Sequence, residues 1–486
     1  MYRIKYFFLI YLLYIPVHGS DLNTVKSIAE SVVRHPNLKH GTWSICALDA
    51  ETGEILLDIN SHLTLTPASN MKLITSAAAL DILGADTRFH TYLEYDGRID
   101  NGRLNGNLYI RGEGDPTLAS PEMPEVIQID SLFAVWLNAL HQKGIKEITG
   151  DLIADISYFD DRYIPDDWSW GDMGNYYGPV SSSLCINENS YKLYFKSPAQ
   201  KYVRAEVLYT DPEIPGISFK NFMLTGNVRS GAQAYIYGAP EQNTRFLHGY
   251  IPSGRSRFFI EGSIPDPALF MIQRLNSELS REGISIKGRI YKKRFWQASE
   301  RHNLMTIASP PLEKIVYRLN KRSNNLFAEQ LLKILGKVKT GTGSVKKGIE
   351  VINYWIEDKE LPGDGVYIED GSGLARSNGC TTFFFAQLLK KMKLSPGYEA
   401  FFNSLSVAGD PEDEGTLKSL CAGTVAAGKV HVKSGLMQRV RSHSGYLFTS
   451  GNKCICFSMI ANNFSGSYRT IDSLHEKIMV ALAGLP

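Results

Sequence analysis

Between Thr87 and Trp296 the chain changes character, and that change constrains its fold more than any other feature. Before it, a helical pattern runs from Asp21 to Val33. Two strand-like runs then follow, Thr42–Asp49 and Glu54–Asn60, with Thr52-Gly53 as the turn, and after them an alanine-rich helix over Pro67–Leu80. Within the stretch, short alternating runs take over (His90–Tyr95, Asn107–Arg111, Lys192–Phe195, Ala232–Tyr237, Arg257–Glu261). Asp96-Gly97, Asn101-Gly102 and Asn105-Gly106 punctuate its early part as turns. One helix, Asp130–Lys143, lies inside. Helices return over Pro311–Gly336, Gly348–Lys359 and Thr381–Met392. The chain closes with the strands Lys429–Lys433, Gly445–Ser450 and Cys454–Asn462 and a helix over Thr470–Ala483. The expected fold is therefore α/β of the α+β kind: an antiparallel sheet flanked by helices, interrupted by a large, mainly β insertion of two subdomains. The expected divisions are 1–19, 20–86, 87–296 and 297–486, and a chain of 486 residues has length for about three domains.

The first division reads as a secretory signal. Arg3 and Lys5 precede an apolar run from Tyr6 to Val17, and cleavage is expected near Gly19. The run is too short to span a bilayer, Pro16 breaks it, and no cysteine follows to carry a lipid. The mature chain is thus expected to be exported, periplasmic or otherwise extracytoplasmic, without a transmembrane anchor. Lys and Arg number 52 against 50 Asp and Glu, which speaks against a nucleic-acid partner held by a basic face. Export permits disulfides, and a link from Cys46 to Cys454 or Cys456 is one option. Cys454 and Cys456 alternate in a strand and read as small core residues. The histidines show no metal-ligand spacing, so neither a metal nor another cofactor is expected.

Three short motifs carry chemistry. In Ser69-Asn70-Met71-Lys72 a helical i, i+3 spacing brings the amine to the hydroxyl. Serine needs a base to become a nucleophile. Lys72 can be that base only if its pKa falls from about 10.4 toward 7, a cost of roughly 4–5 kcal/mol that burial and a nearby cation would have to supply. Alone the motif is weak: serine is a favoured N-cap, and S-x-x-K recurs at Ser344 and Ser450. Ser323-Asn324-Asn325 lies between two helices, where a hydroxyl and an amide can relay a proton and bind a substrate amide; a plain interhelical turn would look the same. Lys433-Ser434-Gly435 ends a strand. There an edge can align a peptide, the cation is fixed, the hydroxyl can hold a carboxylate, and glycine permits close approach. The literal Lys339-Thr340-Gly341 competes, but no strand flanks it.

In this order S-x-x-K, S-x-N and K-[TS]-G form a signature set. With them the chain resembles the class C low-molecular-mass penicillin-binding proteins, the D-alanyl-D-alanine carboxypeptidase/endopeptidase group of peptidase family S13 that includes penicillin-binding protein 4. The long insertion and the runs Gly112–Leu118, Gly150–Asp155, Trp168–Gly174 and Asp370–Arg376 extend the resemblance over nearly the whole mature chain. Ser434 stands where relatives usually have Thr, and Leu436 where many have Ser or Thr.

The resemblance implies acyl transfer on peptidoglycan stem peptides and cross-links, and covalent capture of β-lactams. It assigns Ser69 as nucleophile, Lys72 as its base, Ser323 as relay toward the leaving amine, and Asn325 as a support for substrate and Lys72. Lys433 and Ser434 would engage the terminal carboxylate, with Gly435 between them and Leu436, whose N–H would join that of Ser69 in the oxyanion hole. By the same resemblance Asp155 matches a family Asp placed near the stem peptide's diamino-acid side chain, and Arg376 and Gln438 match family groups lining the same cleft, where a surface salt bridge or a loop hydrogen bond would look the same. Two other functions stay open at this point: a serine β-lactamase, for which the insertion is unusual, and a non-catalytic cell-wall binding module.

Overall fold

The computed structural model describes residues 21–229, 231–295 and 300–486; the expected signal segment and the expected boundary at Trp296 lie outside them. The central layer is a six-stranded sheet in the order Ser406–Val407, Val430–Met437, Val440–Phe448, Cys454–Asn462, Thr42–Asp49, Ile55–Ile59. Every neighbouring pair in it is antiparallel. The first two C-terminal strands are longer than their sequence pattern suggests, because a tight turn at Gln438-Arg439 lets Met437 pair directly with Val440.

Strand alternation divides the core. Ile45, Ala47, Phe457 and Met459 face one apolar cluster with the helices Leu22–Val33 and Tyr468–Ala483. Cys46, Leu48, Cys456 and Ile460 face a second, built with the helices Met71–Leu83, Leu312–Arg322, Asn325–Thr340 and Thr382–Met392. Cys454 joins Cys456 on that second face. All six cysteines are buried and free, so the considered link from Cys46 is not made. Each residue from Met71 to Leu80 is buried. A helix enclosed on all sides needs small side chains where its neighbours press closest, and Ala77, Ala78 and Ala79 supply them.

Among its described residues the insertion holds four sheets and two α-helices. A five-stranded sheet runs Ile290–Lys293, Leu152–Asp155, Leu108–Gly112, His90–Tyr95, His302–Ala308. No element is expected between Trp296 and Pro311, yet residues 302–308 form a strand that pairs with His90–Tyr95. The chain therefore returns to the main layer only at the helix Leu312–Arg322. Asn101-Gly102 forms the hairpin its sequence predicts, with both φ angles positive (47° and 80°) between the paired residues Asp100 and Arg103. Asn105-Gly106 instead carries the chain from one sheet to another. Several pairings are parallel, which hairpin turns alone do not foretell. A second helix, Pro267–Arg281, was missed, although Asp266 caps it with its carboxylate on the Leu269 N–H and proline opens its first turn. Side chains from both ends of the insertion pack into a shared apolar cluster. Among the described residues no helix is long and apolar enough to cross a membrane.

Candidate active site

Ser69 lies in a short 3-10 turn, Ala68–Asn70, that runs into the helix Met71–Leu83. The turn is fastened to the central sheet. Ser442 donates to the Pro67 carbonyl (2.6 Å) and Asn70 Nδ2 donates to Ser444 Oγ (2.6 Å). Gly435 packs directly on it: a Cβ at 435 would stand 2.9 Å from the Ser69 nitrogen and 2.7 Å from the Pro67 oxygen. The glycine thus admits the nucleophile's own backbone, not only a substrate. The residue before Ser69, Ala68, has φ 49°, in the left-handed region that costs a non-glycine residue energy.

Lys72 is fully buried, with Nζ 3.1 Å from Ser69 Oγ. It donates to Asn325 Oδ1 (2.6 Å) and to the Ser372 carbonyl (2.6 Å). Burial brings its pKa down to about 7, against the opposing pull of the Asp370 and Glu329 carboxylates. Desolvation therefore does the work that sequence reasoning divided between burial and a neighbouring cation. A near-neutral amine beside a serine hydroxyl is suited to take its proton.

Two carboxylates shape the floor beneath Lys72. Glu329 accepts from the Ser372 N–H (2.8 Å) and the Gly371 N–H (3.3 Å), and burial with Asp370 nearby raises its pKa to about 8. Asp370 accepts from the N–H groups of Gly373 and Ala375 (2.7 Å each) and from Trp168 Nε1 (2.8 Å), a residue of the insertion. Together they hold the loop that presents the Ser372 carbonyl to Lys72. Sequence reading gave Glu329 no role. Its signal was a carboxylate inside the apolar run Leu326–Leu335, four residues after Asn325.

Ser323 closes the helix Leu312–Arg322 with φ 57°. Asn324 then caps the helix that starts at Asn325, its side chain accepting from the Phe327 N–H (3.3 Å). Asn325 turns Oδ1 to Lys72 because its Nδ2 donates to the Tyr177 carbonyl (2.6 Å), again from the insertion. Lys433 is buried and donates to Ser323 Oγ (2.9 Å) and to the Ser434 carbonyl (2.8 Å). Burial, Lys72 and Arg441 all press its pKa well below the usual lysine value. Ser69, Lys72, Asn325, Ser323 and Lys433 thus surround one site.

The short strand Ser406–Val407 covers only His431 and Val432 of its neighbour. From Lys433 to Met437 the outer edge has no strand beside it among the described residues. Ser434 is half-buried and Leu436 exposed on that edge. Gln438 is exposed in the turn that follows. Arg376 is exposed, beside Asp167 and Asp172, and Asp172 in turn contacts the Tyr177 side chain. The rival Lys339-Thr340-Gly341 is a helix end, with Gly341 as its left-handed cap. Ser344 of the second S-x-x-K caps a helix, accepting from the Lys347 N–H (3.1 Å).

Asp155 does not fit its expected substrate role. It is fully buried in the five-stranded sheet; Oδ2 accepts from Arg301 (2.8 Å), and Oδ1 from the Ser157 hydroxyl (2.6 Å) and N–H (3.1 Å). Both oxygens are engaged, so a peptide amine would find no open carboxylate there.

A helix-flanked antiparallel sheet carrying a serine, its buried lysine base, a serine-amide turn and a lysine edge strand defines a serine acyl-transfer site. The chain belongs to the D-Ala-D-Ala carboxypeptidase 3 (S13) family, whose profile matches residues 24–482. The activity that goes with this membership is that of a serine D-alanyl-D-alanine carboxypeptidase. It is 29% identical over 458 residues to a D-alanyl-D-alanine carboxypeptidase of Actinomadura sp. (strain R39), covering 92% of this chain and 82% of that one. It is 22% identical over 427 residues to the D-alanyl-D-alanine carboxypeptidase DacB of Haemophilus influenzae, covering 86% and 85%. The crystal structure of penicillin binding protein 4 (dacB) from Haemophilus influenzae shares the fold, with a TM-score of 0.80 at 20% identity over 94% of this chain and 99% of that one.

Proposed function

We propose that Ser69 attacks the carbonyl of the penultimate D-alanine of a peptidoglycan stem peptide while Lys72 accepts its proton. The tetrahedral oxyanion rests on the N–H groups of Ser69 and Leu436; one such donor contributes about 3–4 kcal/mol. Ser323 passes the proton to the leaving amine, and Lys433 and Ser434 hold the terminal carboxylate. Asn325 keeps Lys72 and the substrate amide in register. Water then hydrolyses the ester. Arg376 and Gln438 face the acyl portion of the peptide. A β-lactam enters the same course and stops at the ester. The reading places the enzyme outside the cytoplasm, where its substrate lies, and extends to cleavage of peptide cross-links.

The observation that carries this is the fully buried Lys72 amine, 3.1 Å from the Ser69 hydroxyl, with a pKa near 7. Intact-protein mass spectrometry after exposure to penicillin tests it. One β-lactam mass should add to the wild type and none to Ser69→Ala. An unmodified wild type would leave a binding module as the better reading, and rapid return to the unmodified mass with loss of penicillin would favour a β-lactamase.

A further inference from the structure

Ser323, Asn324 and Asn325 form one wall of a second cleft, of about 510 Å³, whose opposite wall belongs to the insertion. Pockets of roughly 300–1,000 Å³ hold drug-sized ligands, and a single departing D-alanine would leave most of this one empty. The cleft is also charged. Arg322, next to the relay serine, contributes a cation from the helix end, and Lys192 and Glu261 stand directly opposite each other on adjoining insertion strands. Among the described residues none of these three closes an ion pair within 4.0 Å. The walls are braced to one another: Asn324 Nδ2 donates to Glu188 Oε2 (2.8 Å), and Glu188 also accepts from the Ser120 hydroxyl (2.5 Å).

We infer that this cleft binds the leaving strand of a cross-linked substrate, a second peptide stem bearing free carboxylates and an amine. The inference rests on the acyl-transfer reading above. There the acyl portion lies toward Arg376 and Gln438 and the leaving nitrogen toward Ser323, so whatever follows that nitrogen meets Arg322 and the insertion wall. Arg322 and Lys192 receive carboxylates of the leaving stem, and Glu261 its amine. The chemistry is unchanged. The bond between the D-alanine carbonyl carbon and the leaving nitrogen breaks as the Ser69 ester forms. The serine proton, taken by Lys72, ends on the leaving amine. Water later returns hydroxyl to the acyl group and hydrogen to Ser69. A lone D-alanine leaving group ends at the Ser323 edge of the cleft, short of Arg322, Lys192 and Glu261, so the two substrate types part company at these residues.

Three probes separate the outcomes: a monomeric stem pentapeptide ending in D-Ala-D-Ala, a cross-linked dimer of stem peptides, and penicillin. In Arg322→Ala and in Lys192→Ala, kcat/KM on the dimer should fall roughly tenfold or more, while pentapeptide turnover and penicillin acylation stay within about twofold of wild type. Lys192 is on the insertion, away from the motifs, so its variant guards against a mere disturbance of Ser323. Equal losses on all three probes, or an unaffected dimer, overturn the inference. A wild type that is acylated by penicillin but leaves the dimer whole overturns this cleft's role alone. A wild type that penicillin does not acylate overturns the acyl-transfer reading and the cleft's role together.

Discussion

Gly435 and the backbone nitrogen of Ser69 are so close that a methyl group on the former would stand 2.9 Å from the latter. The strand that supplies the cation and the turn that supplies the nucleophile therefore fix each other's position. In Gly435→Ala the added carbon must push the turn or the strand aside, since its neighbours include the Pro67 carbonyl as well. Penicillin acylation is expected to slow by roughly a hundredfold or more, the order seen when one oxyanion donor is lost. Stopped-flow acylation rates check this, and a rate within a few-fold of wild type would refute it.

The protonation of Lys72 sets the pH dependence. Its amine is neutral, and able to accept the Ser69 proton, above a pKa of about 7. The second-order rate of penicillin acylation should therefore rise with pH through about 7 and then level off. The Asp370 carboxylate stabilises the protonated amine. Asp370→Asn removes that support, so the proton leaves at lower pH and the rising limb moves acidward. A limb that stays in place or moves to higher pH would contradict the assignment.

Asn325→Asp should shift the same limb the other way. A carboxylate within 2.6 Å of Lys72 Nζ in place of the amide oxygen favours the ammonium, so a higher pH is needed to free the base. The substitution also removes the donor to the Tyr177 carbonyl, and acylation even at the optimum should fall roughly tenfold or more. A pH–rate profile of the variant measures both effects.

Asp155 is expected to matter for stability and not for substrate binding. Asp155→Ala leaves Arg301, in a buried site, with Glu94 as its remaining carboxylate partner, a loss of about 1–3 kcal/mol. Urea or thermal unfolding should show the loss, while KM for a pentapeptide in the still-folded fraction should be unchanged. A raised KM with unaltered unfolding would restore the substrate role.

The three motifs were legible because each needs a residue type tied to a local conformation. Ser69 and Lys72 share a helical face, Ser323 turns the chain between two helices, and Lys433 sits on a strand whose alternation is plain in the sequence. The supports were not legible. Tyr177 contributes a carbonyl, which every residue has, and Ser372 does the same. Their roles depend on folding that brings distant segments together, over separations of 148 and 300 residues. Asp155 shows the opposite failure: a recognisable run of residues fixes a strand, but the partner that neutralises its carboxylate, Arg301, is 146 residues away. The helix Pro267–Arg281 carries a readable cap and first-turn proline, but it lies in a segment whose pattern is dominated by strands.

The bond from Asn325 to the Tyr177 carbonyl has a consequence for the chain's architecture. A piece of the excursion between the two halves of the enzyme holds the amide that steadies the general base, so the excursion is not a detachable ornament. A trimmed protein lacking it would keep every signature residue and still let the Asn325 amide swing away from Lys72. Shortening this enzyme to its signature-bearing halves would thus give a chain with the right letters and a slack catalytic centre.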